Sequence, residues 1–482
     1  MLFFALTDTV LISCKQEKIA PQNKSLSSEN SQNSVANKIS HNIQATGDYI
    51  ILSASEKSLP ENMQAEIAKL GGTVKRKLDK IGLAIVQADK ADFISRASQI
   101  KGIKSVIHDL STNWLPPDEN DSKVAGLTPH TPSDFFYPLQ WNVLAIHAND
   151  AWSKGYKGKG AVVAVLDEGF YLNHHDLAPN IDLSISTSMV AGWPLQFQLA
   201  GEFSHGTHIA GIVAAPENNY GTVGVAPKAK LMLVRVLTDT GSASFGDVVA
   251  GIYWAATHGA NVINMSFGTY LPHHLQLIIG GKHINMTKEL QELLVAFNRS
   301  TIYAHQRGAV IVCAAGNDHL DLDHIADVDP YPAGCVYALS VSATSPKGWA
   351  IDMSTNLDIP ATYTNYGTSG IDFAAPGGDI YPDVPGNCNV PPVSGIPCNV
   401  YDLVLSPAGI DSNGDYWAWL GGTSMASAHV TGVAALIAAK HPGYSPTQIE
   451  AALRISSDDL GKPGRDDFFG HGRVNASKAV DE

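Results

Sequence analysis

Charge is scarce in this chain: 16% of its 482 residues are Asp, Glu, Lys or Arg, and the acidic groups outnumber the basic ones 46 to 32, a formal net charge of −14. An acidic surface attracts neither nucleic acid nor an anionic membrane, so neither is the expected partner. Cysteine is equally sparse, five in all, too few for a disulfide scaffold. Beyond the N-terminus no run of 18 or more apolar residues occurs, so a spanning helix is not expected. There is no His-Glu-x-x-His helix either, and the neighbours His174-His175 and His273-His274 would point apart on a strand, which leaves zinc hydrolysis without a ligand set. What the chain does have is 44% hydrophobic residues and 43 glycines. That composition suits a large core, more than one domain, and an α/β fold with many tight turns.

Three short segments, far apart, carry an acid, an imidazole and a hydroxyl. They are Val163-Ala164-Val165-Leu166-Asp167-Glu168-Gly169, Ser204-His205-Gly206-Thr207-His208-Ile209-Ala210-Gly211 and Gly422-Thr423-Ser424-Met425-Ala426-Ser427-Ala428-His429-Val430. Acyl transfer needs that set, because serine is a weak nucleophile until a base takes its proton. Glycines after His205 and before Thr423 let the backbone turn sharply and let substrate approach. The order Asp, His, Ser, with these flanks, resembles the subtilisin-like serine proteases. The resemblance implies a secreted or cell-envelope serine endopeptidase, made as a self-processing zymogen, with Asp167, His205 and Ser424 as its triad. A fourth segment, Val312-Cys313-Ala314-Ala315-Gly316-Asn317, resembles the family's strand ending in the oxyanion asparagine. Asn317 and the Ser424 backbone N–H are therefore the expected donors to a tetrahedral intermediate. Singly, an aspartate ending a strand is often only a turn former, and a serine before an Ala-rich helix only its cap. The four segments in order outweigh those readings.

Apolar runs at 161–166, 231–236, 261–265, 309–313 and 336–342 alternate with helical stretches at 207–215, 246–258, 286–307 and 425–440. This alternation predicts an α/β fold with a mostly parallel sheet and helices on both faces, and ligands bind outside the carboxyl ends of such strands, where Asp167 and Asn317 fall. The catalytic domain is expected over 135–482, with insertions near 269–285 and 378–418, and Ser445, Pro446 and Gln448 start its last helix with a capping box. Before it, 47–112 reads as a small α+β unit: strands at 49–52, 83–86 and 105–107, helices marked by Leu59, Met63, Ile67, Leu70 and by Phe93, Ala97, Ile100. It resembles the family's inhibitory propeptide, with cleavage expected in the linker 113–134; a permanent accessory domain is the alternative. Residues 15–46 are polar and read as a flexible tether. In 1–14 a mostly apolar stretch ends in Leu11-Ile12-Ser13-Cys14, which looks like a bacterial lipoprotein processing site with lipidation at Cys14, against an ordinary signal peptide.

Two departures from the family pattern stand out. Glu168 follows the aspartate where small hydroxyl residues are usual, which would raise the pKa of Asp167 if both are buried. Ala428 stands where the family usually has proline. By the same resemblance Ser266, Phe267 and Gly268 form one wall of the primary specificity pocket and Ala314, Ala315 and Gly316 the other. Pro330 would lie at its base and Asp318 near its rim, a pocket for large uncharged side chains. A structural Ca²⁺ is implied at the loop 216–222, with Asp176, Asn218 and Gln140 as ligands, against a plain loop. Among the cysteines Cys388 with Cys398 is the favoured pair; Cys313 and Cys335 lie on candidate neighbouring strands, or stay buried thiols.

Overall fold

The computed structural model describes residues 43–115, 122–124 and 135–482. Cys14, most of the tether and most of the linker lie outside the described residues. The first unit consists of β1 (Gln44–Ser53), α1 (Met63–Lys69), β2 (Thr73–Leu78), β3 (Leu83–Gln87), α2 (Phe93–Ala97) and β4 (Ile103–Asn113), in the sheet order β2-β3-β1-β4. Side chains alternate across a strand, and here both parities are apolar. Ile51, Ala84, Val86 and Val106 pack on Met63, Ile67, Phe93 and Ala97 of the unit's own helices. Ile50, Leu52, Leu83, Ile85 and Ile107 join a second core shared with the rest of the chain. β2 has no counterpart among the sequence expectations, because Lys75, Arg76 and Lys77 give it the composition of a loop. Charged residues are what an edge strand tolerates.

The short strand β5 (Ser122–Val124) precedes the large domain, whose first half holds β6 (Val162–Asp167), β7 (Thr187–Ser188), α3 (His205–Ala214), β8 (Lys230–Arg235), β9 (Ser242–Ser244), α4 (Phe245–Thr257) and β10 (Val262–Met265). There follow β11 (Thr269–Pro272), the hairpin β12 (Gln276–Ile279) and β13 (Lys282–Asn285), α5 (Thr287–Gln306), β14 (Val310–Ala314), β15 (Val328–Tyr331) and β16 (Ala338–Ser345). The last part holds β17 (Ile359–Pro360), β18 (Phe373–Pro376), β19 (Asn387–Val390), β20 (Val393–Pro397), β21 (Val404–Asp411), β22 (Gly414–Leu420), α6 (Thr423–Lys440) and α7 (Pro446–Ser456). The central sheet runs β17-β16-β14-β10-β6-β8-β7 with β18 beside β16, and every pairing in it is parallel except β16 with β17.

Its strands are buried on both faces, which is why they read as unbroken apolar runs. Val163, Val165, Leu231, Leu233, Val310 and Val312 share a core with Ile209 of α3 and Val430 of α6. Ala164, Leu166, Met232, Val234, Ile311 and Cys313, one residue out of phase, pack with Val248 of α4 and Phe297 of α5. The mostly parallel α/β architecture is thus as the sequence predicts. α6 is buried from Thr423 to Ala438, as a run of mostly small or apolar residues with no Asp, Glu, Lys or Arg before Lys440 allows. At Gly211 α3 approaches β21 so closely that an added Cβ would lie 2.4 Å from Pro407 Cδ.

The first unit docks through the sheet face that bears Ile50 and Leu52 and through the edge of β4. β4 pairs antiparallel with β9, Ser111 opposite Ser244 and Asn113 opposite Ser242. Asp109 Oδ1 accepts the Gly246 N–H at the start of α4 (3.0 Å), and Arg76 pairs with Asp247. Burial pushes the Asp109 carboxyl up to about 7. On the other side β5 pairs antiparallel with β22. Of the two stretches read as insertions, 269–285 supplies β11, which pairs with β15, and the β12/β13 hairpin. The other, 378–418, contains a β19/β20 hairpin closed by a Cys388–Cys398 disulfide, and also β21 and most of β22, with Trp417 buried in the main core. Cys313 and Cys335 are free and buried. The capping box of α7 is formed by Ser445 and Gln448.

Candidate active site

Asp167 is the last residue of β6 and has no exposed surface. Its two carboxylate oxygens lie 3.0 and 3.1 Å from Nδ1 of His205, the first residue of α3. A carboxylate only accepts, so Nδ1 carries the proton and Nε2 carries the lone pair in the neutral ring. The two chain turns are sewn together beside this contact. Ser204, the N-cap, accepts from Thr207 N–H and donates to Gly169 O at 2.7 Å. Asp167 O in turn accepts Val236 N–H at 2.8 Å.

Ser424 is the second residue of α6 and 6% exposed. Its hydroxyl donates to Ser266 O at 2.7 Å, so reaching an imidazole requires rotation about Cβ–Oγ. Beneath the turn runs a buried polar chain: Thr431 Oγ1 donates to Asn264 Oδ1 (2.9 Å), Asn264 Nδ2 to Ser266 Oγ (2.8 Å), and Ser266 Oγ to Ser424 O (2.9 Å). Asn317, three residues past β14, accepts from both Thr423 N (2.9 Å) and Thr423 Oγ1 (2.7 Å) through Oδ1. With that oxygen fixed by two donors, Nδ2 is the end of the amide turned away from Thr423, beside Gly422. The Ser424 N–H belongs to the first turn of α6, where amides have no intrahelical acceptor. Acid, imidazole, hydroxyl and carboxamide are thus borne on the C-terminal end of β6, the N-terminal turns of α3 and α6, and the segment just after β14, β6 and β14 being interior strands of the sheet.

The model of the Subtilase family matches residues 158–472. The chain belongs to the subtilase family. Thermitase of Thermoactinomyces vulgaris is 33% identical over 357 residues, 73% of this chain and 99% of that one. Subtilisin Savinase of Lederbergia lenta is 32% identical over 342 residues, 71% and 98% of the two chains. The epidermin leader peptide processing serine protease EpiP of Staphylococcus aureus shares the fold, with a TM-score of 0.68 at 21% identity over 90% of this chain and 97% of that one. As a subtilase the chain is a serine endopeptidase that acts on protein or peptide substrates.

Both departures from the subtilase pattern have a local account. Glu168 is 4% exposed and its Oε1 accepts the backbone N–H of His205 at 2.7 Å. The side chain is thus turned to the helix. Ala428 is fully buried in α6 and supplies an N–H that a proline lacks. Other members of the site escaped the sequence reading: Thr423 and Asn264 as hydrogen-bonding partners, Ser427, and Tyr270 with Asn365. Asn264 had a signal, a lone amide in the apolar run of β10. Thr423 and Asn365 had none, because their partners come from remote segments.

Asp176, Gln140 and Asn218, the implied Ca²⁺ ligands, all bond at or beside the loop 216–222. Calcium takes six to eight oxygens at about 2.3–2.6 Å. Gln140 spends its oxygen on Val223 N–H (2.9 Å) and its amide on Val223 O (3.0 Å). Asp176 Oδ2 accepts Thr222 N–H, Thr222 Oγ1 and the Trp417 indole at 2.7, 2.8 and 2.9 Å. Asn218 donates to His175 O. The sequence could not reveal the indole bond, since Trp417 lies 241 residues from Asp176. The protein's own donors thus take Asp176 Oδ2 and the Gln140 oxygen, while Asp176 Oδ1 and Asn218 Oδ1 are buried and take part in none of these bonds, so calcium at this loop stays a proposal. Thermal unfolding in Ca²⁺ and in chelator decides it: a site filled to 100 times its Kd adds about 2.7 kcal/mol, and superimposed curves exclude one. The buried histidines beside the site are neutral: burial pushes His208 down to about 3 and His429 to about 4. His208 Nε2 bonds to Ala418 O and His429 Nδ1 to Met425 O.

Proposed function

We propose that the chain is the precursor of a secreted or cell-envelope subtilase that removes its own N-terminal unit, with Ser424 as nucleophile, His205 as general base, Asp167 as its orienting carboxylate and Asn317 as oxyanion donor. What supports this reading is a pair of locked groups: on α3, which packs against α6, an imidazole whose Nδ1–H is held by Asp167, and at the Ser424 turn a carboxamide whose oxygen is held by Thr423. The Ser424 hydroxyl leaves Ser266 O, gives its proton to His205 Nε2 and adds to the scissile carbonyl. Asn317 Nδ2 and Ser424 N–H hold the resulting oxyanion, a donor being worth about 10²–10³ in kcat. The imidazolium then protonates the leaving amine, the acyl-enzyme forms, and water repeats the sequence to release the acid.

The substrate lane is supported by an occupant from the chain itself. Gly268 N–H donates to Trp114 O (3.0 Å) and Trp114 N–H to Gly241 O (2.9 Å), so an extended strand lies between two backbone segments. The Trp114 indole packs against Phe245, Phe267 and Phe297 and donates to Ala243 O. Strand addition of this kind is how extended peptides are held. Residues 47–112 are accordingly read as an inhibitory propeptide, with cleavage between 113 and 134. The primary pocket lies between the Ser266, Phe267, Gly268 wall and the Ala314, Ala315, Gly316 wall. Tyr270, opposite Pro330 in the β11/β15 pair, donates to Asp318 (2.6 Å) and accepts from Asn365 (2.7 Å). Its hydroxyl is 2.8 Å from where a Gly316 Cβ would stand, which limits room for the large uncharged side chains expected from sequence. The Cys388–Cys398 bond supports an oxidising compartment. Lipidation at Cys14 remains the proposed anchor.

An organophosphonate should stop peptide hydrolysis and add its mass to the tryptic peptide bearing Ser424, while a zinc chelator leaves the rate unchanged. Sequencing the active form from its N-terminus should begin between 114 and 135. Label on another residue would sink the triad, and an active form retaining 47–112 would favour a permanent accessory domain.

A further inference from the structure

Glu168 sits between the two members of the Asp167–His205 pair and touches both. Its own N–H donates to Asp167 Oδ1 at 2.8 Å, and its Oε1 accepts from His205 N at 2.7 Å. The first N–H groups of a helix have no partner within it. In α3 the N-cap Ser204 takes Thr207 N–H, and Glu168 takes that of His205. A carboxylate there also lies at the positive end of the ten-residue helix. The bond runs from the turn after β6 to the start of α3, the two segments whose relative placement sets the Asp167–His205 distance. A second bond, Ser204 Oγ to Gly169 O, crosses between the same two segments at 2.7 Å. Gly169 itself packs on the buried Arg235–Asp239 pair, where an added Cβ would fall 2.6 Å from Arg235 Nη1. The turn is therefore held against β8 on one side and stitched to the helix on the other.

We propose that Glu168 is a positioning residue for catalysis: its carboxylate, by holding the backbone of His205, fixes the imidazole against Asp167 and along the path of the Ser424 proton. A short hydroxyl side chain at this position is two bonds shorter and does not span from the turn to the helix amide, so this chain fastens its base in its own way. The inference rests on the triad reading of the preceding section. Misplacement of a catalytic group by about 1 Å costs about 10²-fold in rate, and a residue acting through His205 affects the chemical step more than binding.

The test compares wild type, Glu168→Ala and Glu168→Gln with an internally quenched peptide substrate. Glu168→Ala removes the acceptor and should lower kcat about 100-fold with KM within threefold. Glu168→Gln keeps an oxygen in the same place and should recover to within about fivefold of wild type, a rescue that separates placement of His205 from mere filling of the site. Wild-type kcat in Glu168→Ala would overturn the proposal, as would a Glu168→Gln variant as slow as Glu168→Ala while still folded by circular dichroism. Ser424→Ala measured alongside tells the two readings apart: if it hydrolyses the peptide as fast as wild type, the triad assignment has failed and not the role of Glu168 within it.

Discussion

Replacing Ser424 by alanine should abolish peptide hydrolysis, lowering kcat by about 10⁶-fold, and should leave the chain as an uncut precursor. The loss is expected to be chemical and not structural. Among the described residues the Ser424 hydroxyl bonds to Ser266 O, a hydrogen bond whose loss costs about 1 kcal/mol. Main-chain groups of the Ser424 turn stay anchored without it, since Ser266 Oγ and Ser427 Oγ both reach Ser424 O. A residual rate above that of water should survive, because the Asn317 amide is held by Thr423 and not by the nucleophile. The first unit should remain seated through β4, β9 and Trp114. Mass spectrometry of purified Ser424→Ala should find 47–112 still covalently attached. A variant that matured normally when expressed alone and purified would require another nucleophile or another protease.

Much of this arrangement was legible in the chain because subtilase motifs are local. Asp167, His205 and Ser424 each sit within a few residues of the glycines and small residues that shape their turns, and the buried strands announce themselves as apolar runs. What escaped had a common physical cause. β2 carries three basic residues in a row and stands at a sheet edge, where burial imposes no pattern. Glu168 read as a second carboxylate that would perturb Asp167. Its side chain reaches a backbone amide 37 residues away, a partner no periodicity reveals. The partner of Asp176 Oδ2 was hidden for the same reason, since its indole comes from β22. Spacing locates a loop but does not say which donors the fold will bring to it.

Asp167→Asn should keep the fold and lower kcat by about 10⁴-fold, by inverting the imidazole tautomer. The carboxamide has one acceptor and one donor end where the carboxylate had two acceptors. Glu168 N–H points at Oδ1 from 2.8 Å and demands an acceptor there, so the new NH₂ takes the place of Oδ2. That position is 3.1 Å from His205 Nδ1. An N–H there opposes Nδ1–H, and the tautomer is kept only by Oδ1, 3.0 Å from Nδ1 and already shared with Glu168 N–H; the ring relieves the conflict by moving its proton to Nε2. The nitrogen facing the cleft then has no lone pair to receive the Ser424 proton, although every heavy atom is nearly where it was. The expected signature is a collapse of kcat with KM and melting temperature almost unchanged. Slow labelling by an organophosphonate would accompany it, because serine activation is lost in that reaction too. An Asn variant within tenfold of wild type would mean that the Asp167 contact does not set the tautomer of the base.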